Sequence, residues 1–199
     1  MNTKRVLAAV YSLSLSGRRV AGSTLAAALG LTVKEADAEL RRLKARGLLE
    51  SGRRGASLTQ KGRKSIKVVF IGGGFEVIHY GHAYTIRKAK ELGDALVVAV
   101  ARDSTIRRRK NREPVVGELD RVKLLASLRQ VDAAILGVEG DIYVTLGRVG
   151  PDIVALGYDQ YHLEDEIRRE AERRGMSVKV VRLDSPYPGI KTSRLLNEL

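Results

Sequence analysis

The sequence predicts an α/β protein in which a five-stranded, parallel, doubly wound sheet follows a small basic domain. Five short apolar runs alternate with helical stretches, which is the pattern of strands buried on both faces of a sheet. Basic residues concentrate before these runs, because residues 1–64 hold 14 Lys and Arg against 4 Asp and Glu. Since 199 residues exceed one average domain, we expect two domains, residues 1–64 and 66–199, with a junction over 61–65.

The N-terminal domain is predicted as helices followed by a β-hairpin. Ser23 is placed to cap the second helix, and Gly30 ends it. Thr32 and Glu35 form a capping box for the third helix. The predicted helices cover 6–13, 24–29 and 33–46, and the predicted hairpin strands cover 48–50 and 56–58.

The third helix and the hairpin carry basic residues on the side away from the predicted core. Lys34 and Arg41 lie on the helix face opposite its apolar stripe, and Arg53 and Arg54 occupy the hairpin tip. This arrangement resembles a winged helix-turn-helix domain, which implies contacts with the phosphates of duplex DNA. The alternative is a protein-binding or dimerisation unit with a solvated basic face, which leaves a homodimer open.

The C-terminal domain is predicted from the five runs rich in Val, Ile, Leu and Ala. The predicted strands cover 67–71, 95–101, 133–137, 152–156 and 178–183. Ligands of doubly wound sheets bind outside the carboxyl ends of the strands. Polar candidates follow two of these runs, namely Asp103 after the second and Tyr158 with Asp159 after the fourth. The sequence therefore predicts a ligand site along this edge.

A glycine-rich turn after the first strand is the strongest candidate for a phosphate site. Gly73 and Gly74 permit a tight turn, and the next helix offers unpaired N–H groups to an anion. His79 and His82 add donors beside those amides, and a histidine titrates near neutrality. The alternative is an ordinary glycine-rich turn with two surface histidines.

Composition excludes several other classes. The absence of cysteine rules out disulfides, thiolate metal sites and a cysteine nucleophile. The longest apolar run, 95–101, is far shorter than the roughly 20 residues that span a bilayer, so we expect no membrane partner. Polar residues interrupt the apolar stretch 6–15, which therefore does not form a signal peptide, and we expect a cytoplasmic protein.

The glycine turn has the spacing Gly-x-Phe-Glu-x-x-His-x-Gly-His, which resembles the signature of the His-x-Gly-His nucleotidyltransferase superfamily. The segments 101–106 (ARDSTI), 136–143 (LGVEGDIY) and 151–160 (PDIVALGYDQ) resemble the archaeal FAD synthetases, which are relatives of glycerol-3-phosphate cytidylyltransferase. This resemblance covers residues 66–199. It implies a Rossmann-like sheet of strand order 3-2-1-4-5 and transfer of AMP from ATP to FMN.

The resemblance also implies roles in nucleotide binding. His79 and His82 are expected to contact the ATP phosphates and to be catalytic. Asp159 is expected to contact the nucleoside, the alternative being a loop residue that caps the next helix. The other nucleotide-binding residues implied by the family are Gly73, Gly74, Phe75, Gly81, Lys191, Thr192 and Ser193. Taken alone, a Lys-Thr-Ser helix start is usually only a cap.

A second group of residues is implied near the acceptor and the metal ion. Its members are Asp103, Arg109, Arg121 and Arg129. We expect Mg²⁺ to bind mainly through substrate phosphates, with at most one carboxylate. The basic run 107–110 is alternatively a solvated helix face.

The chain departs from the family pattern at three positions. Glu76 replaces an aspartate, Gly74 replaces a threonine, and Pro186 stands where relatives carry an arginine. Two other functions therefore stay open. One is a cytidylyltransferase that uses CTP and a phosphorylated alcohol, and the other is a transcription regulator that senses a nucleotide or flavin. The presence of both His79 and His82 favours catalysis.

Overall fold

A computed structural model describes residues 1–160, 163–187 and 189, and the chain divides into two compact units, Met1–Lys67 and Val68–Leu199. The elements of the first unit are α1 (Thr3–Leu15), α2 (Gly22–Leu29), α3 (Val33–Ala45), β1 (Leu49–Gly52), β2 (Gly55–Leu58) and α4 (Gln60–Lys64). Strands β1 and β2 pair antiparallel, as the predicted hairpin requires.

Local signals set the helix ends of this unit. The Glu35 carboxylate accepts a hydrogen bond from the Thr32 N–H at 2.8 Å, and the Thr32 hydroxyl accepts one from the Glu35 N–H at 3.3 Å, which confirms the capping box. Gly30 ends α2 in the left-handed region at φ 70°. The predicted Ser23 cap is wrong, because α2 begins at Gly22 and the Thr24 hydroxyl accepts from the Ala21 N–H.

The second unit alternates strands and helices. Its elements are β3 (Val68–Gly73), α5 (Tyr80–Glu91), β4 (Ala95–Val100), α6 (Asp103–Lys110), α7 (Glu118–Ala126), β5 (Ala133–Leu136), α8 (Ile142–Val149), β6 (Ile153–Leu156), α9 (Glu164–Arg173) and β7 (Lys179–Arg182). Within the described part of the chain, five parallel strands form one sheet of order β5-β4-β3-β6-β7. This confirms the predicted fold class and strand order.

The central strands of the sheet are buried, as their apolar runs predict. All residues of β4 are buried, and so are the first four of β3. Ile86 and Ala89 of α5 pack into the same core. Because the order reverses on either side of β3, the carboxyl end of this strand borders the crevice in which doubly wound sheets bind ligands.

At the opposite edge of the sheet, where the strands begin, two carboxylates accept hydrogen bonds from backbone N–H groups. The Asp152 side chain accepts from the Val68 N–H at 2.7 Å, and the Asp132 side chain accepts from the Leu96 N–H at 2.6 Å. Each carboxylate therefore satisfies a strand N–H that has no ladder partner at the start of its strand.

Candidate active site

The chain turns sharply between β3 and α5. A Cβ on Gly73 would lie 2.9 Å from the Phe75 ring, whereas a Cβ on Gly74 would stay 3.9 Å from the nearest side chains of α6. Phe75 itself adopts φ 52°, a left-handed conformation that few non-glycine residues accept. The Phe75 ring is buried and packs on His82, so it supports the histidine from the core.

This geometry predicts unequal costs at the two glycines. We expect Gly73→Ala to displace the Phe75 ring and to lower the free energy of unfolding by about 1–3 kcal/mol. Gly74→Ala meets only ordinary contacts, so its effect should stay within about 0.5 kcal/mol. Urea unfolding of both variants tests this difference, and equal losses would contradict the contact geometry.

His79 and His82 form a stacked pair at the start of α5. Their ring centroids lie 3.9 Å apart, with 28° between the ring planes. His79 is the N-cap residue of α5, and no side chain of the described residues caps the N–H groups there. The Nδ1 atom of each ring is buried and has no hydrogen-bond partner among the residues that the structure describes. Buried polar atoms without partners are unusual, so these two nitrogens are candidates for contact with a polar ligand.

Burial disfavours the protonated form of both imidazoles. It lowers the pKa of His82 to about 4, with the charge of His79 acting in the same direction, and a backbone hydrogen bond with Val77 opposes both. Burial also lowers the pKa of His79, while the nearby carboxylate of Asp159 opposes that shift. A bound phosphate would favour the protonated forms, since an anion stabilises imidazolium.

The depressed pKa of His82 predicts a pH-dependent stability. Because the folded pKa of about 4 lies below the ordinary 6.5, the folded state resists protonation. The contribution of neutral His82 to the free energy of unfolding is fully present above pH 6.5. It is lost as the pH drops from 6.5 toward 4, by about 3 kcal/mol at most. We expect His82→Gln to show a shallower loss in this window, as measured by urea unfolding at pH 7.5, 5.5 and 4. If the wild type loses unfolding free energy no more steeply than the variant between pH 7.5 and 4, His82 is not the cause of the pH dependence.

Glu76 forms a buried ion cluster behind the turn. Its side chain is 0% exposed, and it accepts from Arg112 at 2.7 Å and from Lys110 at 2.5 Å. Burial alone would raise the pKa of Glu76, but the hydrogen bonds from Arg112 and Lys110 lower it to about 2. The sequence marked Glu76 as a departure without identifying its partners, because Lys110 and Arg112 lie 34 and 36 residues away.

A second network corrects the prediction for Arg121. Its guanidinium is 0% exposed and donates to the carbonyls of Val116, Gly74 and Ala101 as well as to the Asp103 carboxylate. Arg121 therefore holds the loops that follow β3 and β4 and has no face turned to a phosphate. The other Asp103 oxygen accepts from the Glu118 N–H at 3.3 Å.

The two remaining arginines of the predicted acceptor region lie in different parts of the second unit. Arg109, in the last turn of α6, lines the cavity at the carboxyl edge of the sheet. Arg129 is exposed and lies between α7 and β5, where the chain returns to the amino edge of the sheet. The start of a parallel strand lies opposite the ligand edge of its own sheet, and the acceptor role of Arg129 stays a prediction.

The loop after β6 approaches the histidines from the other side. Asp159 is exposed there, close enough for its charge to act on His79. Gln160, whose role the sequence did not reveal, donates to the Gly72 carbonyl at 2.6 Å and accepts from the Gly157 N–H at 3.1 Å. Arg182 donates to the carbonyls of Gly157 and Gln160 at 3.0 Å each. These bonds join the loop to the glycine turn.

Some predicted residues are located without a demonstrated contact, and others are not described. Gly81 lies in the first turn of α5. The predicted phosphate contacts Lys191, Thr192 and Ser193 lie outside the described residues.

A cavity of about 720 Å³ opens at the carboxyl edge of the sheet. Its floor is formed by the ends of β3, β4 and β6, and its walls are α6 and α8. Gly72, Gly73 and Gly74 form the border nearest the histidine pair, while His79 and His82 are not among its described lining residues. The cavity and the histidines are therefore neighbours across the glycine turn.

The basic residues of the first unit take different positions. Lys34 and Arg41 are exposed on α3, and Arg53 is exposed in the turn between β1 and β2. Arg54 is exposed as well, and it donates to the Gly17 carbonyl at 2.9 Å. The winged-helix interpretation stays a prediction.

The described residues contain no group of three or more His, Cys, Asp or Glu side chains that could hold a metal ion. In the same residues, no helix is both long and apolar enough to cross a membrane.

Comparisons with known sequences place this site among nucleotidyltransferases. Residues 70–198 match the cytidylyltransferase-like family. The FAD synthase of Methanothermus fervidus is 49% identical over 114 residues, which cover 56% of this chain and 78% of that protein. The FAD synthase of Thermococcus kodakarensis is 39% identical over 140 residues, which cover 69% of this chain and 93% of that protein.

Solved structures share the fold of the second unit. A lipopolysaccharide core biosynthesis protein of Thermoplasma volcanium is 42% identical with a TM-score of 0.58, over 60% of this chain and 98% of that one. The pantoate-β-alanine ligase of Francisella tularensis, solved with a β,γ ATP ligand and β-alanine, has a TM-score of 0.50 over 71% of this chain and 67% of that one. At 20% identity, the second likeness concerns the fold alone.

Proposed function

Since the chain belongs to the cytidylyltransferase-like family, we propose that it is an FAD synthase, which transfers AMP from ATP to FMN and releases pyrophosphate. The observation that carries the proposal is the stacked pair His79 and His82, with a buried Nδ1 atom on each ring that has no partner among the described residues. A nucleotide sensor would not need donors placed for a transition state.

The reaction needs no protein nucleophile. A phosphate oxygen of FMN attacks the α-phosphorus of ATP, the bond from that phosphorus to the bridging oxygen breaks, and pyrophosphate leaves with the electron pair. His79, His82 and the N–H groups at the start of α5 stabilise the negative charge that develops on the phosphate oxygens in the transition state. The glycine turn lets the backbone approach the phosphates closely.

The site fits a Mg²⁺ ion that is carried by the substrate. Asp103 directs one oxygen to Arg121 and the other to the Glu118 N–H, so this carboxylate has limited capacity for a metal. The triphosphate would supply most of the Mg²⁺ ligands, and Asp103 is the candidate for the one protein carboxylate that would bind the ion. When bound, the ion neutralises charge on the phosphates.

Incubating the full-length protein with FMN and each of ATP, CTP, GTP and UTP tests the proposal. We expect FAD and pyrophosphate in equal amounts with ATP and Mg²⁺. Pyrophosphate formed only from CTP and a phosphorylated alcohol would indicate a cytidylyltransferase. Nucleotide binding without pyrophosphate release from any pair would indicate a sensor.

We also propose that the first unit binds duplex DNA through α3 and the β1–β2 turn. The observation in favour is that Lys34 and Arg41 are exposed on one face of α3, with the small exposed Ala38 between them. A face of this kind can approach a groove closely while its cations reach phosphates.

Removing the α3 cations should change the salt dependence of DNA binding. We expect Lys34→Ala with Arg41→Ala to flatten the slope of log K against log salt by about 0.9 per lost phosphate contact. Lys61→Ala with Lys64→Ala, on α4, removes the same charge and should leave the slope closer to wild type. Fluorescence anisotropy at several salt concentrations measures both slopes, and equal changes would indicate an effect of net charge alone.

A further inference from the structure

We infer that the cavity between α6 and α8 is the acceptor chamber, in which the isoalloxazine ring of FMN stacks on Tyr143. This inference rests on the proposed function and identifies which part of the site receives the flavin. At about 720 Å³ the cavity has the size of a typical small-ligand pocket, and its floor is the apolar end of the sheet.

The two ends of the cavity differ in chemistry. At the end next to the glycine turn, Arg108 and Arg109 of α6 line the wall, and the Nζ of Lys110, which is paired with Glu76, lies 3.9 Å from the position of a Cβ on Gly74. The α8 side is lined by Val138, Ile142 and Tyr143, and the carboxylates of Asp141 and Glu166 border it as well, with Asp141 paired with Arg174 at 2.8 Å. The α6 side therefore suits a phosphate, while the Tyr143 ring and the two aliphatic side chains offer a surface for a flat ring, and FMN has both parts.

Tyr143 is held in place for stacking. The Arg174 guanidinium lies over its ring at 5.0 Å from the centroid, and Arg174 is itself bound to Asp141 at 2.8 Å and to Glu170 at 2.9 Å. The Tyr143 N–H donates to the Asp141 side chain at 2.7 Å. A ring fixed in this way loses little conformational freedom when a ligand stacks on it.

The position of the chamber also suits the chemistry. Its phosphate end borders Gly72, Gly73 and Gly74, and the histidine pair lies across the same turn. An FMN phosphate at this end would face the α-phosphorus of an ATP whose phosphates lie against His79 and His82. Asp159, whose charge acts on His79 from the loop after β6, is left for the nucleoside.

Steady-state kinetics of Tyr143→Ala in the full-length protein tests the inference, with Tyr143→Phe as the conservative variant. We expect Tyr143→Ala to raise the KM for FMN about tenfold, because stacking contributes about 1–3 kcal/mol. The KM for ATP should change less than about twofold, and Tyr143→Phe should restore the KM for FMN. Val144→Ala, an exposed neighbour on α8, is the matched control and should behave as wild type.

A second variant keeps the test decisive if Tyr143→Ala does not fold. Val138 is 40% exposed at the cavity wall, so Val138→Trp should fill the chamber without entering the core. It should abolish the quenching of FMN fluorescence on binding while ATP binding persists. Wild-type FAD synthesis with an unchanged KM for FMN in both variants, or a rise in the KM for ATP instead, would overturn the chamber assignment alone. Absence of FAD synthesis by the wild type would overturn the proposed function itself.

Discussion

His82→Ala should lower the turnover number for FAD synthesis by a factor of about 10² to 10³, while the affinity for ATP changes little. The reason is that His82 stands in the first turn of α5, stacked on His79, with a buried Nδ1 that has no partner among the described residues. A donor in this position is worth most when negative charge grows on the transferring phosphoryl group. Turnover is measured by FAD formation, and ATP affinity by calorimetry.

The matched control for this prediction is Arg87→Ala, an exposed position farther along the same helix. It should keep the wild-type turnover, and circular dichroism should show all variants folded. A His82→Ala protein with wild-type turnover would remove His82 from the mechanism. A large rise in the dissociation constant for ATP with turnover unchanged would assign it to ground-state binding instead.

Glu76→Gln should lower the free energy of unfolding by about 3 kcal/mol. Removing the charge leaves Lys110 and Arg112 without their buried partner, and breaking a buried pair costs about 3–5 kcal/mol. The lower end applies because Lys110 and Arg112 are 40% and 34% exposed and keep contact with water. Urea unfolding at pH 7 measures the loss.

The pH dependence of this loss follows from the pKa of Glu76. Its folded value of about 2 lies below the ordinary 4.5, so the cluster stabilises fully above pH 4.5 and is lost as the pH falls from 4.5 toward 2. Glu76→Gln should lack this acid-dependent loss. The control is Glu113→Gln, whose exposed pair with Arg107 is screened by water and should contribute little to stability. Equal losses in the two variants would mean that burial adds nothing to the Glu76 cluster.

Features that depend on local pattern were predicted correctly. The apolar runs located every strand of the large sheet, and the capping box of Thr32 and Glu35 located the start of α3. The spacing of the glycine turn indicated the family, which the cytidylyltransferase-like match confirms. These signals depend on neighbours in sequence, so a sequence displays them directly.

Features that depend on distant partners were missed or misassigned. Arg121 was expected at a phosphate, but it is buried against carbonyls of loops that lie 20 and 47 residues away. Gln160 reaches the Gly72 carbonyl across 88 residues. Arg54 binds Gly17 across the first unit. Composition cannot show whether a charged side chain meets a ligand or its own backbone, because tertiary structure decides which loops meet.

Direct transfer of AMP from ATP to FMN at the histidine pair can be followed in a single turnover with α-³²P-labelled ATP, FMN and excess full-length protein. We expect the label to pass from ATP to FAD at the same rate at which pyrophosphate appears, with none bound covalently to the protein. Label recovered on the protein, or pyrophosphate released at the same rate without FMN, would contradict direct transfer.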